Sequence, residues 1–591
     1  MAEFESSLLD RLAARAESDA PAFTYLDCSS GRGAVPHTLS WRELYARVRA
    51  VSARLRPLIE RGDRVAVLAD QDLDYVAGFL GTLHAGAIAV PLFAPSGGSH
   101  QARLVGALVD CDARVWLTSE RLLDRLHTFE SAGQVPRPAE IIAVDTLPPA
   151  SPPFAVSPLN AASGTGTEVA AGAENGAVSP LNAASEPAYL QYTSGSTRDP
   201  AGAVITHGAL VASCRQVAGA YRVDETVTCV GWIPFFHDMG LIQLLALPVY
   251  TGSHSVFFPP LEFIRRPIRW LEQLSGYPKV FTAAPNFAYD LAVQAIPEAA
   301  RAGLDLSGVQ VALNGSEPVR PATIVAFDKA FGPHGFPAEA HEPSYGLAEA
   351  TVYVASSGPQ GPTITAFDRD RLAAGHAVAA EGGREVVSVG HPFGQLVRIV
   401  DRASRTVLPD GEVGEIWVHG PHIAAGYWRQ PERTAETFDA QLAEGTPAGG
   451  WLRTGDLGVC HDGLLYLTGR IKDLIIIDGK NHYPQDIEAT VADAHPAIRR
   501  GRVAAFEVGG ETGAVSVVVV AERTREAGSA DVDAITRAVR RAVAAEHDLA
   551  LSAFRLLEPG AVPRTSSGKV ARSAARAGYL AEQETGSVWT R

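Results

Sequence analysis

Residues 192–202 read YTSGSTRDPAG. After a run of apolar, strand-forming residues come Thr193, Ser194, Gly195, Ser196 and Thr197, directly before a turn at Asp199 and Pro200. A loop made of glycine and small hydroxylated residues brings backbone N–H groups and hydroxyl donors close to an anion, because no bulky side chain intervenes. That is phosphate-binding chemistry. A Walker loop is excluded, since no Gly-x-x-x-x-Gly-Lys-Ser/Thr string occurs in the chain.

Around this loop, helical and strand signals alternate. SWRELYARVRAVSARLRPLI (40–59) carries apolar residues at helical spacing, DRVAVLA (63–69) is a short β-branched run, and YVAGFLGTLHAGAIAVPL (75–92) returns to helix and strand. The alternation continues through RVWLTS (114–119), EIIAVD (140–145), KVFTAAP (279–285) and GVQVALNGSEPV (308–319). It predicts an α/β fold with parallel-rich sheets flanked by helices. Beyond residue 390 the strands become shorter and turn-separated, as in VRIVD (397–401), GEIWVHG (414–420) and GLLYLTGR (463–470), which predicts a small β-subdomain. The last stretch reads as a small α+β unit, with a domain boundary between residues 470 and 471. Between 146 and 187 the pattern breaks into Pro, Ala, Ser and Gly, and AVSPLNAAS occurs at 155–163 and again at 177–185. This predicts a flexible surface insertion.

Composition narrows the function. At 591 residues the chain is too long for one ordinary domain. Its formal net charge of −15, without an extended basic patch, argues against nucleic acid as a partner. The five cysteines (Cys28, Cys111, Cys214, Cys229, Cys460) show no metal-ligand spacing and fit a reduced compartment. No run approaches the ~20 apolar residues of a membrane span and the start does not read as a secretory signal, so a cytoplasmic protein is expected. Of 51 Lys plus Arg residues only five are Lys, at 279, 329, 472, 480 and 569. In a chain that writes its positive charge as Arg, each Lys draws notice.

Further motifs follow the loop in order: WIPFFHDMG (232–240), LNGSEPV (313–319), SYGLAEAT (344–351), GEIWVHGPHIAAGYW (414–428), WLRTGDLG (451–458), GRIKDLIIIDGKNHYPQDIE (469–488) and PRTSSGK (563–569). Together they closely resemble the adenylate-forming enzymes, and within them HDMG, YGLAEAT and GKNHYPQDIE look most like the fatty acyl-AMP ligases. The resemblance covers essentially the whole chain.

The resemblance implies ATP and Mg²⁺ as cofactors and a fatty acid as substrate. In it Thr193, Ser194, Gly195, Ser196 and Thr197 cradle the β- and γ-phosphates, and Glu349 holds Mg²⁺. Tyr345 stacks on adenine, with Asn314, Gly315 and Ser316 along its edge, and Gly346 and Thr351 complete the nucleotide set. Asp456 takes the ribose hydroxyls with help from Arg470, and His237 stands beside the acyl entrance. Lys569, on an exposed tip, reaches carboxylate and phosphate together. Lys472 falls where relatives pivot the small domain, so residues 1–470 would bind ATP and acyl group while mobile residues 471–591 carry Lys569. The chemistry is consistent with physical need, since joining a carboxylate to a phosphate requires positive charge, metal and oriented donors.

An insertion at about 356–388, anchored by Phe367, Asp368 and Arg369, resembles the ligase segment that restrains the small domain and disfavours CoA. The acceptor is then an acyl carrier protein supplied in trans. Ala201 stands where a basic residue is common, and Lys480 where Arg is. Two other readings stay open, an acyl-CoA synthetase of the same fold and a non-catalytic nucleotide-binding scaffold; Lys569, Glu349 and Asp456 argue against the scaffold.

Overall fold

The computed structural model describes residues 7–29, 33–95, 100–150, 184–192, 200–447, 449–477, 480–509, 515–525, 531–565 and 568–585. The hydroxyl-rich loop 193–197 and residues 151–183 of the insertion expected at 146–187 lie outside the described residues.

Helix formation follows the sequence pattern closely. In the helix Trp41–Leu55, Trp41, Leu44, Val48, Val51 and Leu55 recur at three- and four-residue intervals and are buried. Its start is set by a capping box in which Ser40 accepts from the Glu43 amide while the Glu43 carboxylate accepts from the Ser40 amide. The helix Leu73–Ala85 begins at Asp72, whose carboxylate accepts from the amides of Asp74 and Tyr75, and ends at Gly86 in the left-handed conformation.

The strand runs assemble into two large sheets. The first has eight strands, in edge-to-edge order Ala355–Ser356, His341–Tyr345, Val309–Gly315, Val280–Pro285, Thr228–Gly231, His254–Phe257, Pro21–Asp27 and Val35–Ser40. Its interior pairings are parallel, and only the two edge strands pair antiparallel. The second has six, in the order Glu140–Ala143, Val115–Thr118, Arg64–Val67, Ile88–Pro91, Pro187–Tyr192 and Gly202–Thr206, again parallel but for its last pairing. One hydrophobic core joins them, packing Val67, Ala89 and Tyr189 of one sheet with Phe257, Phe281 and Val311 of the other.

An antiparallel four-stranded sheet follows, Leu396–Val400, Gly414–His419, Leu452–His461 and Leu464–Arg470. Strands Ile498–Val508, Ser516–Arg523 and Leu551–Leu557 form the last sheet, with helices Pro484–Ala494, Val532–His547 and Arg572–Thr585 around it. The two cores of this end draw their buried members only from Ile475 onward. Among the described residues no helix is long and apolar enough to cross a membrane.

Candidate active site

In parallel sheets the carboxyl ends of the strands open a crevice for ligands. Here Val309–Gly315 and His341–Tyr345 end side by side, delivering Gly315, Ser316, Tyr345 and Gly346 to a narrow cleft of about 20 Å³. Its apolar wall is made by Tyr221, Met239, Leu313, Val352 and Tyr353. Backbone strain gathers at the same place, with positive φ at Ser316 (66°), Thr351 (47°) and the β-branched Val352 (95°). A Cβ on Gly346 would lie 1.5 Å from the Val352 carbonyl oxygen, so this close approach admits no side chain.

Tyr345, Asp456 and Arg470 form one chain. The Tyr345 hydroxyl donates to Asp456 Oδ2 at 2.7 Å, and Arg470 Nε lies 3.0 Å from Asp456 Oδ1. Pairing of the four-stranded sheet sets Asp456 directly opposite Arg470, and Asp456 is only 4% exposed. The carboxylate is therefore held at the cleft by a guanidinium from one side and a phenol from the other.

Glu349 lies in the short helix Ala348–Ala350, and the Tyr427 hydroxyl donates to its Oε1 at 2.7 Å. Burial raises the Glu349 carboxyl above the usual carboxylate range, opposed by the Tyr427 hydrogen bond. Among the described residues no group of three or more His, Cys, Asp or Glu could hold a metal by itself. A single oriented carboxylate suits Mg²⁺, which takes one or two carboxylates and completes its shell with phosphate oxygens and water; the donor set fits.

Lys569 corrects the expectation of an exposed tip. It is half-buried, and its loop is docked on the large domain. A Cβ on Gly568 would lie 3.6 Å from the Phe287 ring, and the Phe287 amide donates to Glu317 Oε1 at 2.6 Å. Burial, then Arg470, push the Lys569 ammonium below the usual lysine range, while Asp238, Glu317 and Asp456 pull it back. Charged residues from four motifs far apart in the chain thus act electrostatically on one ammonium. Asp238 is in turn 2.6 Å from His237 Nδ1 and accepts from the Met239 amide at 2.7 Å.

Other expected residues are occupied by packing. Asn314 donates to Asn286 at 3.4 Å, and the Thr351 hydroxyl, 1% exposed, donates to the His422 carbonyl at 2.6 Å. Lys472 sits in the turn Ile471–Asp473, and the neighbouring Asp473 accepts from Arg572 at 2.8 Å. Arg572 also makes a two-toothed contact with Glu488. The roles expected of Thr193, Ser194, Gly195, Ser196 and Thr197 fall outside the described residues.

Segment 356–388 contains the strands Ile364–Phe367 and Arg384–Val387, paired antiparallel, and the helix Arg369–Ala373 capped by Asp368. Phe367 packs edge-on to Tyr466 at 5.2 Å. Arg369 pairs with Glu546 at 3.1 Å and Arg384 with Asp486 at 3.0 Å. Arg384 also lies over the Tyr483 ring at 4.8 Å.

Sequence reasoning missed Glu317, Asp238, Tyr427 and Arg384. Glu317 and Asp238 lie inside the motifs LNGSEPV and HDMG, but nothing local distinguishes a carboxylate aimed at a residue 250 or more positions away from one aimed at water.

The sequence pattern of the AMP-binding enzyme family matches residues 9–428, and that of the AMP domain of Disco-interacting protein 2-like proteins matches residues 472–585. The long-chain-fatty-acid–AMP ligase FadD32 of Mycolicibacterium smegmatis is 41% identical over 96% of this chain and 93% of its own length. A structure from a study of fatty acyl-adenylate ligases of E. coli and L. pneumophila superposes with a TM-score of 0.83 at 31% identity, covering 99% of each chain. Another, of fatty acyl-adenylate ligase from L. pneumophila in complex with acyl adenylate and pyrophosphate, gives a TM-score of 0.70 at 30% identity over 97% of this chain and 96% of that one.

Proposed function

The chain belongs to the AMP-binding enzyme family, and from that premise we propose the following course for its reaction. It is a fatty acyl-AMP ligase: the carboxylate of a fatty acid attacks the α-phosphate of ATP, forming acyl-adenylate and releasing pyrophosphate. The observation that carries the assignment of roles is the loop of Lys569 seated against Phe287, with Asp238, which lines the cleft, and Glu317 and Asp456 close enough to act on its ammonium.

In this reading Tyr345 and Gly346 seat the adenine and Asp456 receives the ribose hydroxyls, held ready by Tyr345 and Arg470. Lys569 brings its charge to the point where carboxylate and phosphate meet, where negative charge builds in the transition state. Thr193, Ser194, Gly195, Ser196 and Thr197 receive the terminal phosphates. Glu349, kept in place by Tyr427, would hold Mg²⁺, which would supply positive charge against the phosphates. Residues 471–591 then turn as a unit at Lys472, withdrawing Lys569 and admitting the acceptor. That acceptor is the phosphopantetheine thiol of a carrier protein acting in trans, and the compartment is the cytoplasm.

Incubation with ATP, Mg²⁺ and C6 to C18 acids tests the reading. Acyl-AMP and pyrophosphate should accumulate in equal amounts; their absence with every acid would refute it.

A further inference from the structure

The polar groups that line the cleft are nearly all spoken for. The Tyr221 hydroxyl donates to Ser344 at 3.0 Å, and Ser344 passes its own proton to the Glu342 carbonyl at 3.0 Å. Tyr353 pairs with Ser356 at 3.3 Å, Tyr345 with Asp456 at 2.7 Å, and the Ser316 hydroxyl rests on the Met239 sulfur at 3.5 Å. Gln243 is the exception. It lines the same cleft, is 2% exposed, and its carboxamide oxygen has no hydrogen-bond partner among the described residues. It belongs to a π-helical turn, Ile242–Ala246, that continues directly from the helix Asp238–Leu241. Single π-helical turns are rare and gather at functional sites.

A buried carboxamide oxygen without a donor is costly, and it calls for a donor that a water or a bound ligand must supply. A saturated acyl chain cannot. A hydroxyl both donates and accepts, so it satisfies this carboxamide whichever of its ends faces the cavity. We propose that Gln243 is a specificity-determining residue that hydrogen-bonds a hydroxyl on the acyl chain, so that the acid activated is a hydroxylated fatty acid rather than a plain saturated one. The proposal rests on the fatty acyl-AMP ligase reading and adds a substrate class to it.

The test compares the full-length protein's kcat/KM, by pyrophosphate release with ATP and Mg²⁺, for decanoic acid and its 2-, 3- and 10-hydroxy derivatives. Binding of the same acids is followed by thermal shift. At least one hydroxy acid should exceed decanoic acid by about 10- to 100-fold, since a site with a waiting polar group discriminates strongly against a ligand that leaves it unpaired. In Gln243→Leu, or Gln243→Met if the first does not fold, that ratio should fall by tenfold or more, through loss on the hydroxy acid. Equal kcat/KM across the wild-type panel, the result expected if a water occupies Gln243, overturns the proposal, as does a ratio that survives both variants. If plain acids are adenylated without preference, the ligase reading stands and only the substrate class fails. If no acid yields acyl-AMP, the ligase reading fails and this proposal with it.

Discussion

Arg384 is where the choice of acceptor can be tested most directly. It joins segment 356–388 to the small domain through Asp486, with side chains 15% and 26% exposed, and through the face of Tyr483. Both contacts must break if residues 471–591 rotate about Lys472 while the segment stays on the large domain. A charged hydrogen bond in such a setting contributes about 1.5–3 kcal/mol, and the cation–π contact about 0.5–1 kcal/mol. The half-exposed Arg369–Glu546 pair adds about 0–1 kcal/mol. The two contacts that Arg384→Ala removes sum to about 2–4 kcal/mol, and leaving Asp486 buried without its partner acts in the same direction. At 1.36 kcal/mol per decade this is a gain of about 30- to 900-fold in the rotated population. Arg384→Ala should therefore convert CoA and fatty acid to acyl-CoA at least tenfold faster than wild type, with acyl-AMP and acyl-CoA separated by chromatography. Asp486→Asn should reproduce the effect, and the double variant should add little, because both remove one interaction. Unchanged acyl-CoA formation in well-folded Arg384→Ala would refute the restraint.

Lys569→Ala should lower acyl-AMP formation by about 10² to 10³ with little change in melting temperature, because its ammonium serves the transition state rather than packing; thermal scans beside pyrophosphate release check both halves. Asp456→Asn should raise the KM for ATP about tenfold, since it weakens contacts made before and during reaction; an unchanged KM would leave Asp456 a purely structural partner of Tyr345. Adenylation should be confined to a narrower pH range than ordinary groups allow: Glu349, held up by burial, is neutralised early as pH falls, and Lys569, held down by burial, loses its proton early as pH rises. Stability should fall on acidification for a separate reason. Burial pushes His84, His207, His254 and His422 down to about 4, whereas unfolded histidines take up protons near pH 6.5. The unfolded chain therefore binds more protons between about 6.5 and 4, and the melting temperature should drop between pH 7 and pH 5.

Much of the fold was legible in the order of residues. Apolar spacing in 40–59 dictated the helix Trp41–Leu55, and β-branched runs such as KVFTAAP became the strand Val280–Pro285, because helix and strand periodicity are local properties of a chain. The motifs likewise singled out Tyr345, Asp456 and Arg470, which the structure joins by a hydrogen bond and an ion pair across the junction of two sheets. What local sequence does not carry is which carboxylate faces which cation. Asp238 and Glu317 act on Lys569 only because its loop lies against Phe287, and Tyr427 reaches Glu349 only because residues 424–428 run alongside Gly202–Thr206. Lys569 read in isolation is a tip lysine; folding turns it into a half-buried charge. The same holds for Gln243, one polar letter in an apolar run, whose oxygen is left without a donor among the described residues only once packing has buried it. Desolvation and long-range pairing are properties of the assembled core, and they decide the chemistry of groups that the sequence merely supplies.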